Sequence, residues 1–241
     1  MVWSFSTSRM FRKCQRQWFF KNQVANARAK DTFRKEAYYL SKLQSVSAWR
    51  GNIVDAILSD TIIPALNRRQ TPRLTPILQQ ARTLFDTQLA FAEQKRFREP
   101  DMTQERGGTA YAALHAVEYG EPISENDLLQ AWNDIEQALT CFFEMDELAQ
   151  IFRASSYLIA QRALSFTYNG TAARMVPDVI VFYPNQPPTI IDWKVHTFAM
   201  QNYRLQLASY AIALTECKPH SDFPRTLSRY AAHDIDLLEV Q

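Results

Sequence analysis

Two short apolar runs near the end of the chain carry three charged residues at a spacing that suits metal-ion chemistry. The runs flank a Pro-Asn-Gln-Pro-Pro break, a pattern that predicts a β-hairpin. Asp178 lies in the first run, and Asp192 and Lys194 lie in the second. Because residues i and i+2 of a strand point to the same face, Asp192 and Lys194 share one face of the hairpin.

The register of the hairpin decides how close the two carboxylates come. Folding at the proline-rich break sets Tyr183 opposite Thr189, which places Asp178 opposite Lys194 and diagonal to Asp192. Diagonal neighbours are roughly 7–8 Å apart, close enough to share a hydrated divalent ion. A salt bridge between Asp178 and Lys194 is the alternative interpretation. A one-residue slip would separate the carboxylates, so the metal-site prediction depends on this register.

These residues resemble the motifs of a nuclease superfamily. Asp178, a turn and the Asp-Trp-Lys tripeptide at 192–194 are similar to the PD-(D/E)xK signature of the RecB-like and Cas4-like branch. The Gln206-Leu-Ala-Ser-Tyr210 segment resembles its Q-x-x-x-Y motif. The Gly51-Asn-Ile-Val-Asp55 segment resembles its G-x-x-x-H motif, with Asp55 where His is usual. The N-terminal Ser and Cys-Gln-Arg-Gln-Trp-Phe-Phe segment resembles its opening helix, and the four blocks come in the family's order.

The resemblance implies an α/β (α+β) fold with a restriction-endonuclease-like core, in which helices flank a small mixed β-sheet. It implies a single nuclease domain over residues 1–241, with the catalytic sheet and helix at about 155–241. Helical patterning over about 60–150 predicts a helical insertion between the Asp55 helix and the sheet.

The function that the resemblance implies is hydrolysis of DNA phosphodiester bonds with Mg²⁺ or Mn²⁺. The implied metal ligands are Asp55, Asp178, Asp192 and the Trp193 carbonyl. The implied catalytic residues are Asp178, Asp192, Lys194, Gln206 and Tyr210. Plainer interpretations make Asp55 a solvated boundary residue and Gln206 with Tyr210 a neutral surface pair. Gln161, where the family often has an acidic residue, is not counted as a ligand.

The N-terminal segment predicts a basic helix. It begins at Ser4 or Ser6 and runs to about Lys21, with a buried stripe of Met10, Phe11, Cys14 and Trp18. The rest of its surface carries four basic residues, Arg9, Arg12, Lys13 and Arg16. They form a solvated helix face or, as the resemblance favours, they contact DNA phosphates. Basic and aromatic residues also alternate over 22–50, which fits ordinary helix packing or base stacking.

Composition excludes several other classes of function. The net charge is only +2, so any nucleic-acid contact requires local clustering of cations. The chain lacks the Gly-rich phosphate-binding motifs of ATPases and dinucleotide enzymes. Its three cysteines cannot supply the four thiolates of the iron–sulfur cluster found in many Cas4-like proteins, so no cluster is expected. An odd cysteine count and the lack of membrane-length apolar runs fit a cytoplasmic protein with no membrane contact.

The leading prediction is therefore a metal-dependent DNA nuclease. Nucleases of this branch often work beside a helicase or an integrase, in DNA repair and recombination or in defence against foreign DNA. The alternative is a catalytically weak or inactive nuclease-fold module that binds DNA or a partner protein. A structural subunit without nucleic-acid contact is a third class. Absence of salt-dependent DNA binding would favour that class.

Overall fold

A four-stranded mixed sheet contains the hairpin that the sequence predicts. The structure is a computed structural model, and it describes residues 2–193 and 203–240. In chain order the strands are β1 (Tyr157–Ala160), β2 (Leu164–Tyr168), β3 (Thr171–Met175), β4 (Val179–Phe182), β5 (Thr189–Trp193) and β6 (Asp236–Val240). The mixed sheet has the order β1-β4-β5-β6, with β6 parallel to β5 and the other pairs antiparallel. Strands β2 and β3 form a separate hairpin.

Helices occupy most of the rest of the described chain. They are α1 (Phe5–Lys13), α2 (Gln15–Phe19), α3 (Thr32–Ser41), α4 (Val46–Ile57), α5 (Ile63–Asn67), α6 (Leu74–Glu93), α7 (Gln104–Gly107), α8 (His115–Tyr119), α9 (Glu125–Glu144), α10 (Asp146–Ala154) and α11 (Tyr203–Glu216). Two π-helical segments, Phe20–Val24 and Leu58–Ile62, follow α2 and α4. The coarse prediction of a mixed α/β fold with a small mixed sheet flanked by helices is confirmed. None of the helices described here has the length and apolar character needed to cross a membrane.

The chain divides into two compact units. The sheet unit comprises Met1–Ser8, Leu58–Pro72 and Cys141–Gln241. The helical unit comprises Arg9–Ile57 and Arg73–Thr140, so it includes much of the predicted insertion together with most of the N-terminal region.

Apolar side chains from β4, β5 and α11 form the core of the sheet unit. Ile180 and Phe182 of β4 and Ile190 of β5 are fully buried in one cluster with Leu207 and Leu214 of α11. Every residue of β4 and β5 is buried, as expected for inner strands of a sheet covered on both faces. This core fixes the strand pair that carries the predicted carboxylates.

Aromatic stacking organises the helical unit. The rings of Trp49 and Phe85 stack at 4.5 Å, and Phe85 meets Trp132 edge-on at 5.9 Å. The Trp49 indole donates a hydrogen bond of 2.7 Å to Gln88, which satisfies its buried N–H.

Strand boundaries differ from the sequence prediction at two places. The sequence pattern predicts one strand over about 158–168, and this is wrong, because the chain turns at Gln161, whose φ of 49° is left-handed. The pattern also predicts a strand over Met175–Tyr183, and this run is divided, since β3 ends at Met175 and β4 begins at Val179. The Asn169-Gly170 pair predicts a hairpin turn, and this is confirmed, with φ of 46° and 76°, the positive values that a type I′ hairpin requires.

The N-terminal helix also departs from expectation. Ser4 begins it, accepting a hydrogen bond of 3.1 Å from the Thr7 N–H, but the helix stops at Lys13 rather than near Lys21. Cys14 has an extended backbone, and its sulfur accepts from the Gln17 N–H at 3.3 Å, so it caps a second helix. The predicted buried stripe is wrong, because no residue of α1 or α2 is buried and Cys14 is exposed.

Candidate active site

The register of the β4–β5 hairpin places the two predicted carboxylates directly opposite each other. Val179 pairs with Ile191 and Val181 with Thr189, so continuing the ladder by one pair sets Asp178 opposite Asp192. The predicted register, with Asp178 opposite Lys194, is therefore wrong by two residues. Because side chains alternate with a period of two, this even shift leaves both carboxylates on the predicted face. Directly opposed residues have Cβ atoms about 4.5–5.5 Å apart, closer than the diagonal arrangement.

The proline-rich loop ends the β4–β5 ladder at the Val181–Thr189 pair. In the observed register the next pair would be Phe182 with Pro188, and proline cannot donate a ladder hydrogen bond. Tyr183 and Thr189 meet instead through their hydroxyl groups, 3.0 Å apart. The loop is therefore longer than the five-residue break seen in the sequence.

Asp178 is held by two groups from different segments. Its Oδ2 accepts a hydrogen bond of 2.9 Å from the Trp193 N–H of β5. Its Oδ1 accepts a bond of 3.1 Å from the side-chain amide of Gln161, and the Gln161 N–H donates to the Asp178 carbonyl at 2.9 Å. Gln161 is thus a positioning residue that holds the first carboxylate in place. Its left-handed backbone has no signature in the sequence, which is why sequence reasoning missed this role.

Asp192 lies deeper, with only 1 % of its surface exposed. The Gln206 amide of α11 donates to Asp192 Oδ1 at 3.2 Å and to the Tyr210 hydroxyl at 2.6 Å. A buried carboxylate is costly without polar partners, and α11 supplies one at the edge of an apolar core. The structure therefore brings Asp192, Gln206 and Tyr210 together as one hydrogen-bonded group.

Burial and charge keep Tyr210 protonated. Burial raises the pKa of the Tyr210 phenol far above its ordinary value, and the nearby Asp192 carboxylate raises it further. The phenol oxygen accepts a hydrogen bond from Gln206, and the protonated phenol keeps its own O–H as a donor group.

The remaining predicted site residues have different placements. Lys194 lies outside the described residues. The Trp193 side chain is buried, with its ring 5.8 Å from that of Phe142, and its backbone N–H binds Asp178. Asp55 lies on α4, in the helical unit.

Glu239 is a further carboxylate at this position of the sheet. The parallel β5–β6 register sets Glu239 beside Asp192, and residues in register on adjacent strands share a face. The sequence pattern predicts one or two short strands over residues 227–240, but it does not connect them to the site. The partner of a parallel strand cannot be read from local sequence, because no hairpin turn joins the two.

The donor set suits a hydrated divalent cation. Among residues 2–193 and 203–240, no group of three or more His, Cys, Asp and Glu side chains has a metal-holding arrangement. Two opposed carboxylates remain, and Mg²⁺ is commonly bound by one or two carboxylates while it keeps several waters and binds substrate phosphates. Oxygen donors of this kind suit Mg²⁺ and Mn²⁺.

The predicted DNA-contacting residues all lie on the surface. Arg9, Arg12 and Lys13 are exposed on α1, and Arg16 is exposed on α2, where its guanidinium lies 5.9 Å from the Phe20 ring centre. The structure leaves these four side chains available to solvent, as a phosphate contact requires.

Comparison with known proteins gives no family assignment. No protein-family model matches the chain, and no curated protein matches it.

Proposed function

We propose that this protein is a Mg²⁺- or Mn²⁺-dependent DNA nuclease with a restriction-endonuclease-like core of the RecB-like and Cas4-like kind. The observation that supports this most is the placement of Asp178 opposite Asp192, with Gln206 and Tyr210 of α11 on the same side of the sheet. The motif order in the sequence agrees with this assignment. The proposed setting is cytoplasmic DNA repair, recombination or defence against foreign DNA, beside a helicase or an integrase.

Each described side chain has a task in the proposed reaction. Asp178 and Asp192 would hold the divalent ion, which when bound would supply an activated water and neutralise charge on the phosphate. The Trp193 N–H and the Gln161 amide keep Asp178 oriented, while the Gln206 amide keeps Asp192 oriented. The protonated Tyr210 phenol donates a hydrogen bond toward Asp192 or a phosphate oxygen. Lys194 orients the attacking water or stabilises developing negative charge.

A DNA-cleavage assay tests the proposal. Wild type is incubated with single- and double-stranded DNA and Mg²⁺, Mn²⁺ or EDTA, beside Asp178→Asn, Asp192→Asn and Lys194→Ala. We expect cleavage by wild type with metal only, and a loss of at least about a hundredfold in each variant, as for other residues that act on the transition state. Asp236→Asn, an exposed change in the neighbouring β6, is the matched control and should cut like wild type.

A second candidate is a nuclease-fold module that binds DNA or a partner protein without cutting. Asp55 in place of the usual histidine favours it, as does the absence of a three-ligand cluster within the described part of the chain. An inert wild type that still shifts DNA in a gel would favour this module over the enzyme.

A further inference from the structure

The N-terminal region concentrates positive charge far beyond the average of the chain. Residues 1–30 contain seven Lys and Arg and no Asp or Glu, whereas the whole protein has a net charge of +2. The other 211 residues therefore carry a net charge of −5. All seven cations fall within residues 9–30, inside the helical unit. We call residues 9–33 the basic-aromatic surface.

These cations differ from other basic residues of the helical unit. All seven are exposed, and in the described parts of the chain none of them forms an ion pair with a carboxylate. Elsewhere in the unit, Lys35, Arg82, Arg96 and Arg98 each pair with Asp or Glu. The first acid after them, Asp31, caps α3 by accepting from the Phe33 N–H at 2.9 Å. The surface thus presents seven exposed cations against the one carboxylate of Asp31.

Exposed phenylalanine rings lie among these cations. Phe11, Phe19 and Phe33 are 43 %, 50 % and 58 % exposed. Phe19 and Phe33 are connected through Phe20, whose ring meets both of theirs at 5.9 Å, and Phe11 forms a separate ring contact with Trp18 at 5.3 Å. Isolated exposed apolar residues need no explanation, but a connected set does.

Crowding of positive charge extends to α3. The Lys42 amine is half-buried, and burial together with the nearby Lys21 lowers its pKa. The repulsion between these two lysines in the free protein is reduced when an anion binds near them. A polyanion therefore gains more from this surface than a neutral partner would.

We propose that the basic-aromatic surface binds single-stranded nucleic acid, with its cations on phosphates and Phe11, Phe19 and Phe33 stacked on unpaired bases. Stacking requires bases that are free of a complementary strand, and every base has a flat face, so binding is tolerant of sequence. The exposed large apolar side chains of residues 9–33 are all phenylalanines, namely Phe11 on α1, Phe19 on α2 and Phe33 in the first turn of α3. Aromatic rings placed among cations are the combination that single-strand binding surfaces use. Binding to an anionic lipid surface is the competing outcome that the experiment must distinguish.

This binding goes beyond the proposed hydrolysis and does not depend on it. The surface belongs to the helical unit and uses neither Asp178 nor Asp192. It therefore needs no divalent ion, and it should persist in EDTA.

Fluorescence anisotropy in EDTA tests the inference. The probes are a labelled oligothymidylate of about 20 nucleotides, the matching RNA and the corresponding duplex. This length exceeds the usual footprint of a single binding module. We expect wild type to bind the single strands more tightly than the duplex, with affinity that falls as salt rises. Comparing DNA with RNA identifies which strand chemistry is preferred.

Ring-specific variants separate stacking from general apolar contact. Phe19→Leu and Phe33→Leu keep an apolar side chain but remove the ring, and each should weaken single-strand binding about fivefold or more. Phe19→Tyr keeps the ring and should bind like wild type. Arg12→Gln with Arg16→Gln should weaken binding and flatten its salt dependence, while the control pair Arg225→Gln and Arg229→Gln, exposed in the sheet unit, should not.

Three results would overturn the inference. They are equal affinity for single strand and duplex, unchanged binding in the leucine variants, and binding to vesicles of anionic lipid with none to the oligonucleotides. Asp192→Asn serves as a separate control and should bind as wild type does. If wild type binds single strands but does not cut DNA, the proposed nuclease activity is refuted and this surface is not. If wild type cuts DNA, the ring variants cut equally well and no binding is seen in EDTA, this surface is refuted and the nuclease activity is not.

Discussion

Replacing Gln206 by leucine should destabilise the sheet unit, because one side-chain amide serves two buried partners. The amide donates to Asp192 at 3.2 Å and to the Tyr210 hydroxyl at 2.6 Å. A hydrogen bond to a charged group contributes about 1.5–3 kcal/mol and a neutral one about 0.5–1.5 kcal/mol. Gln206→Leu keeps the size of the side chain and removes both bonds. We therefore expect a loss of about 2–4 kcal/mol in the free energy of unfolding.

Thermal and chemical unfolding measure this loss. For a chain of this length, the melting temperature should fall by roughly 5–15 °C. Gln80→Leu makes the same substitution at an exposed site of α6 and should leave the melting temperature nearly unchanged. Hydrogen exchange followed by mass spectrometry should show the extra opening in α11 and β5, the two elements that the amide connects.

A double-mutant cycle isolates the Gln206–Tyr210 bond. Tyr210→Phe alone should cost about 1 kcal/mol, since it removes only the neutral bond. Added to Gln206→Leu, it should cost less than it does alone, because the hydroxyl has already lost its donor. If Gln206→Leu falls within about 0.5 kcal/mol of wild type and matches the Gln80 control, the amide does not support the carboxylate and this reasoning fails.

Three further predictions concern other buried or paired groups. The Tyr111 hydroxyl is buried and has no hydrogen-bond partner among the described residues, so Tyr111→Phe should stabilise the protein in urea unfolding by about 0.5–2 kcal/mol. Burial raises the pKa of Tyr111 above the value of about 10 that it has in the unfolded chain, so the free energy of unfolding should fall as the pH rises above 10. Tyr111→Phe should lose less stability over this pH range than wild type, and an equal loss in both proteins would contradict the prediction. Arg98 donates to Glu36 and to Glu118, so Arg98→Met should lower the free energy of unfolding in urea by about 1–3 kcal/mol. An unchanged unfolding midpoint would show that these two ion pairs do not stabilise the protein. Saturating Mg²⁺ should raise the melting temperature of wild type by about 5–10 °C but not that of Asp192→Asn, and an equal rise in both would place the ion elsewhere.

The face of each site carboxylate could be predicted from sequence, but the register could not. Strand periodicity combined with the predicted register places Asp178 and Asp192 on one side, and the observed shift preserves this because it is an even number of residues. The register itself depends on where the ladder ends in the proline-rich loop, and local sequence signals only approximate that point. The helical i, i+4 spacing likewise predicted that Gln206 and Tyr210 would be neighbours, as their hydrogen bond shows.

Features that depend on tertiary contact were not predictable. Glu239 comes beside Asp192 through parallel pairing between strands that are far apart in the chain. Gln161 reaches Asp178 through a left-handed turn that any helix- or strand-based periodicity overlooks. At the N-terminus, the apolar repeat favoured a buried stripe along one helix, but Cys14 caps a new helix and none of the four side chains is buried. In each case a single backbone conformation or a distant strand overrides the local pattern.

The loop that joins β4 to β5 offers a place to modify the protein without disturbing its sheet. Pro184, Asn185 and Gln186 are exposed, whereas the strands on either side are locked by buried side chains. Extra residues at this tip lengthen only the solvent-exposed connection, because loop length costs little free energy. A peptide tag or a fluorescent reporter inserted there should therefore leave both carboxylates in place, whereas deleting one residue from β5 would turn Asp192 to the opposite face.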